Sequence, residues 1–131
     1  MKKKDDLVKE WVRKADHDLG MAELALENKP EYTDSICFHC QQTSEKYLKA
    51  YLVFLEVPFE KKHNLVYLLD LISGKNQLGD EFYEMVEKLD DYSVEIRYPD
   101  DSIEPSLEDA QGAIEIAKHV KEFVLSNINL P

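Results

Sequence analysis

At 131 residues, 44% of them hydrophobic, the chain has the size of one ordinary domain and enough apolar content for its own core. Sixteen basic against twenty-seven acidic side chains leave a formal charge of −11, which repels polyanions and argues against a generic duplex binder. No apolar run approaches the ~20 residues of a membrane span, and two cysteines are too few for a disulfide framework.

The opening Met1-Lys2-Lys3-Lys4-Asp5-Asp6 lacks the apolar stretch of a secretory leader, so a cytoplasmic protein is expected. Five segments have helical periodicity and none has a convincing period of two. The spacing predicts an all-α fold, one domain over residues 1–131 with its core at about 7–125. In the first segment Leu7, Trp11, Ala15, Leu19, Ala22 and Leu26 fall within roughly 120° of one face. Lys9, Lys14, Asp18 and Glu23 are expected to face water, and Pro30 ends the helix.

The second segment runs from about Thr33 to Glu56, with Thr33 or Asp34 as N-cap and Pro58 beyond its end. Ile36, Cys37, Cys40, Tyr47, Leu48, Tyr51, Phe54 and Leu55 make one broad apolar side, as expected of a central helix. Residues 57–62 read as a loop. A short third helix buries Leu65, Leu68, Leu69 and Ile72, with Gly74 at its C-terminus. The fourth starts near Asp80, turns Phe82, Met85, Leu89, Tyr92 and Ile96 inward, and is closed by Pro99. Residues 97–105 read as an irregular loop rich in Asp, Ser and Pro. Ser106-Leu107-Glu108-Asp109 resembles a capping box, and Ala110, Ala113, Ala117, Val120 and Val124 then line the last helix. Short connections between long amphipathic helices predict an up-and-down antiparallel bundle.

The second helix also carries a polar stripe. His39, Gln42, Glu45, Lys46 and Lys49 recur at spacings that place them within about 120° of one another. A solvated face explains this on periodicity alone. Phe38 and Leu52, in or beside the stripe, point instead to a cover, supplied by a second subunit or a ligand.

Three smaller features invite chemistry. Cys37-Phe38-His39-Cys40 has no second Cys/His pair to complete a zinc site, so no metal is expected. His63-Asn64 is either a helix cap or, with Lys61 and Lys62, part of a phosphate site at a helix N-terminus. Arg97, beside the rigid Tyr98-Pro99 step, suits a carboxylate or phosphate, or pairs with Asp100 or Asp101.

Taken in order, these pieces resemble the HEPN domain family (higher eukaryotes and prokaryotes nucleotide-binding). The matching residues are Trp11, Ala15 and Asp18-Leu19, then Phe38, Gln41-Gln42, Glu45-Lys46 and Lys49-Ala50. His63-Asn64-Leu65 and Tyr92 with Arg97-Tyr98-Pro99 complete the set. The resemblance implies a bundle of four or five helices of the nucleotidyltransferase substrate-binding-subunit kind, often dimeric. It also implies a minimal nucleotidyltransferase as partner, in some cases as a toxin–antitoxin pair, with no cofactor.

Many such proteins are metal-independent ribonucleases with an Arg-x(4–6)-His motif near the end of the fourth helix. Arg97 stands at the arginine position, yet Tyr98 to Glu104 contain no histidine. Cleavage of this kind needs a proton carrier near neutral pH. No catalytic set is therefore assigned. The resemblance implies a nucleotide- or partner-binding module acting through Gln42, Glu45, Lys46, Lys49, His63, Arg97 and Tyr98. A divergent ribonuclease, with His63 or His39 in place of the absent histidine, is the alternative.

Overall fold

The 3.6-residue spacing of apolar side chains becomes five α-helices in the computed structural model, which describes residues 3–94 and 104–128. They are α1 (Lys4–Asn28), α2 (Thr33–Phe54), α3 (Leu65–Ser73), α4 (Asp80–Glu87) and α5 (Leu107–Asn127), with a 3-10 turn at Asp90–Tyr92. No strand occurs among the described residues, and none of these helices is long and apolar enough to cross a membrane.

Side-chain pairings give the directions. Lys4 lies over the Phe54 ring while Asp18 meets Lys46 and His39, so α1 and α2 are antiparallel. Asp16 pairs with Lys121 and Glu23 with Lys118, which sets α5 antiparallel to α1. Tyr83 bonds Ser73 at one end of α3 and Asp90 bonds Leu65 at the other, so α4 and the turn run back along α3.

Helix α2 is central, packing against α1, α3, α5 and the 3-10 turn. Its Ile36, Cys37, Cys40, Tyr47, Leu48 and Leu52 are wholly buried, each large aliphatic side chain contributing about 1.5–3 kcal/mol of burial. Burial also pushes the Cys40 thiol far above its ordinary range, so both cysteines act as small core hydrophobes.

Several expectations are corrected. Leu7 is exposed and Trp11 half-buried, while Val8, unremarked in the periodicity, is fully buried; the inner stripe of α1 is rotated toward α2. Asp18, expected in water, is buried because two α2 side chains reach it. The N-cap of α2 is Tyr32, without a side-chain cap bond, and Thr33 is buried inside the helix. Gly74 stands at the C-terminus of α3 as expected, though at φ −65, a right-handed conformation that makes no special demand for glycine. Helix α4 ends at Glu87 rather than running to Pro99, since the Asp90 carboxylate turns to bond the Leu65 amide and the chain leaves the helical path. Ile96 and Pro99 lie outside the described residues. The capping box at Ser106 and Asp109 is present as expected.

The end of α2 positions the site. Val57 N–H donates to the Leu52 carbonyl and Glu56 N–H to the Val53 carbonyl, the paired bonds of a Schellman motif. Glu56 holds the left-handed position at φ 60, where glycine is usual. Glu56→Gly is therefore expected to raise stability by about 0.5–1 kcal/mol, read as a higher midpoint in urea with an unchanged slope. From this turn residues 57–64 fold back along α2, so that His63 arrives beside Gln41 and Glu45.

Candidate functional site: a buried polar network on α2

Residues three, four and seven apart share one face of a helix, and α2 uses this to build two adjoining clusters. In the first, His39 and Lys46, two turns apart, meet the same Asp18 carboxylate of α1. His39 Nδ1 donates at 2.9 Å and the Lys46 ammonium donates to the other oxygen. Burial alone pushes the Asp18 carboxyl up, but the bonds and charges of His39 and Lys46 outweigh it and hold the group below the usual carboxylate range.

The second cluster centres on Glu45, 2% exposed. Lys49 Nζ donates to it at 2.9 Å, Gln41 Nε2 at 3.3 Å, and His63 Nδ1 lies 3.1 and 3.2 Å from its two oxygens. Gln42 Nε2 donates to the Gln41 side-chain Oε1 at 2.7 Å, and Gln41 Nε2 also reaches the His63 backbone carbonyl. The Lys49 ammonium, in a residue 6% exposed, sits 5.5 Å from the Trp11 ring and 5.8 Å from the Phe59 ring. Those rings meet edge-on at 6.4 Å, so the cation has aromatic faces as well as a carboxylate.

The stripe is thus covered, and the cover is the chain's own α1 and the 55–64 connection. Lys46 and Lys49 are both neutralised internally. His63 is the open member, with a side chain 68% exposed above a buried carboxylate. The N-terminus of α3 is also occupied. Asp90 accepts from the Leu65 amide at 2.7 Å, and Asn64 accepts from the Tyr67 amide at 2.9 Å. A protein carboxylate therefore stands where a phosphate would bind, which favours the cap reading and gives the cap to Asn64. Burial and the nearby Asp91 and Glu45 charges hold the Asp90 carboxyl above its ordinary value, against the opposing bonds from Leu65 and Val66.

Of the expected site residues, Gln42, Glu45, Lys46, Lys49 and His63 share this face, in two clusters rather than one groove. Arg97 and Tyr98 lie outside the described residues. Tyr92 is half-buried, its hydroxyl pushed up to about 12 by burial, and it shares a hydrogen bond with Cys37. Sequence reasoning missed the pairing of Asp18 with the stripe and the Trp11–Phe59 pair around Lys49. For Asp18 the signal was its place beside Leu19, at the border of the apolar stripe.

Two open grooves among the described residues lie elsewhere. One of 680 Å³ lies between α1 and α5, and one of 420 Å³ between α5 and the α4 region; none of the expected site residues lines either.

This helical arrangement agrees with comparison to known proteins: the HEPN domain family model matches residues 8–128, and the chain belongs to that family. Among solved structures it is similar to ST0689, an archaeal HEPN homologue, at 25% identity and a TM-score of 0.74, covering 98% of this chain and 100% of that one. It is also similar to TT1696 from Thermus thermophilus, at 23% identity and a TM-score of 0.77, covering 92% of this chain and 98% of that one. No curated protein matches the chain.

Proposed function

We propose that this HEPN chain is a binding module that works, as a homodimer, with a protein partner of the minimal nucleotidyltransferase kind, in an arrangement like that of toxin–antitoxin pairs. One observation carries the reading: Lys46 and Lys49, two of the cations in the family-like motifs, are paired inside the fold with Asp18 and Glu45. The formal charge of −11 is left outside to meet a basic partner rather than a nucleic acid. Any nucleotide phosphate is left to Arg97, because taking Lys46, Lys49 or His63 would mean breaking a pair with Asp18 or Glu45.

Co-expression with a nucleotidyltransferase encoded beside it tests the partner. The expected result is a joint peak in size-exclusion chromatography with light scattering, the free chain running as a dimer; separate peaks would end the partner reading. Calorimetric titration with ATP tests the nucleotide. Heat that disappears in Arg97→Ala is expected, and its absence from the unaltered chain removes that part.

The divergent ribonuclease is a second reading, supported by an accessible imidazole, His63, held by a carboxylate. Incubation with tRNA in EDTA decides it: RNA that stays intact, or is cut equally by His63→Ala, rejects it.

A further inference from the structure

The two grooves along α5 share Glu108 and Gly112, so they meet across that helix at a position with no side chain. Nothing among the described residues explains the glycine. A Cβ built at Gly112 meets no atom within 4 Å, and its φ is not left-handed. Glycine inside a helix is destabilising relative to alanine, so here the fold bears that cost without any packing against the described residues in return. What an absent side chain offers is close approach by something from outside.

The walls say what kind of body fits. Half-buried Leu26 on the α1 side and half-buried Met85 and Ile116 on the α4 side give the groove its apolar surface, over a floor of buried Ile114, Leu89 and Ala113. Carboxylates rim it: Glu23 and Glu27 from α1, and Glu108, Asp109 and Glu115 from α5, against Lys88 and Lys118 as the only cations among the described lining residues. Lys118 is spent on Glu23, at 3.7 Å, and Asp109 is engaged by the Ser106 amide. Glu27, Glu108 and Glu115 are exposed.

We propose that this double groove is the docking site for an amphipathic, lysine- or arginine-rich helix of the partner, which crosses α5 over Gly112 with its apolar face down. The inference rests on the partner reading above and specifies the partner's contacting chemistry. A second copy of this acidic chain is disfavoured by charge at the same place, whereas a basic helix gains from every unpaired rim carboxylate.

The test is an anisotropy titration of the full chain at physiological ionic strength with a labelled helical peptide of leucines and lysines on opposite faces. A scrambled peptide of the same composition is the control. The amphipathic peptide is expected to bind at least about tenfold more tightly than the scrambled one. Gly112→Leu, which fills the open space, is expected to weaken it about tenfold while keeping the far-UV circular dichroism of the original. Glu27→Gln with Glu115→Gln, both at exposed positions, gives a second variant with the same expectation should Gly112→Leu fold poorly.

Equal binding of the scrambled peptide, or unchanged binding by both variants, overturns the proposal. So does a free chain that falls from dimer to monomer on Gly112→Leu, which would make the groove a self-association face. The two readings fail separately. A nucleotidyltransferase that still co-purifies with Gly112→Leu removes the groove and leaves the partner. A basic peptide that binds there when no nucleotidyltransferase co-purifies with the unaltered chain removes that partner and keeps the groove.

Discussion

Replacing Glu45 by alanine is expected to cost about 3–5 kcal/mol and to lower the thermal midpoint by roughly 10–20 °C. The loss comes less from the missing bonds than from what stays behind. Lys49 is 6% exposed, and its ammonium lies 2.9 Å from Glu45 among the Trp11 and Phe59 rings. Without the carboxylate that charge is buried and unpaired, and His63 loses the group that holds its ring. The pair as a whole is a different matter, because taking two charges out of water offsets most of what their attraction returns. Glu45→Leu combined with Lys49→Met should therefore recover most of the loss, giving a double-mutant coupling of several kcal/mol in urea titrations. A cost below about 1 kcal/mol for Glu45→Ala would mean that water reaches the cluster and that it behaves like a surface pair.

Asp18→Asn should be the next most damaging change, at about 3 kcal/mol, because it strips one acceptor charge from both His39 and Lys46. Its signature is a pH dependence whose sign follows from the direction of the shift. The folded carboxyl is held below its ordinary value of 3.8, so the charged form is favoured by folding. The stabilisation is fully present above the unfolded value and is lost as pH falls through the lower, folded one. The stability gap between the original chain and Asp18→Asn should thus shrink as pH falls below about 4. Urea midpoints measured across that range read it directly. A gap that failed to shrink below about pH 4 would show that Asp18 is not the ionised partner of this cluster.

How much of this could be read from the residues alone depends on distance along the chain. Helical spacing is local, so the helices themselves and the capping box at Ser106 and Asp109 were legible, as was the buried set Leu65, Leu68, Leu69 and Ile72. The end of α4 was not. What stops it is a carboxylate bonding an amide twenty-five positions earlier, and periodicity holds no record of such a bond. The same limit applies to Asp18. Its neighbours in sequence mark it as a border residue, while its burial is decided by His39 and Lys46, more than twenty residues away. The polar stripe showed which side chains share a face. What covers that face depends on the chain reversal at Glu56, whose left-handed backbone no residue preference announces.

The chain reversal has a practical consequence. It carries Phe59 to within 6.4 Å of Trp11, and Trp11 is the chain's single tryptophan. That tryptophan can be excited selectively beside the chain's seven tyrosines, and it is built into the wall of the Lys49 compartment. Separation of the 55–64 connection from α1 would change the emission spectrum while the helices, and hence the far-ultraviolet ellipticity, stayed as they were. Peeling of this one flap and melting of the whole bundle can thus be followed by two independent optical signals, with no label added.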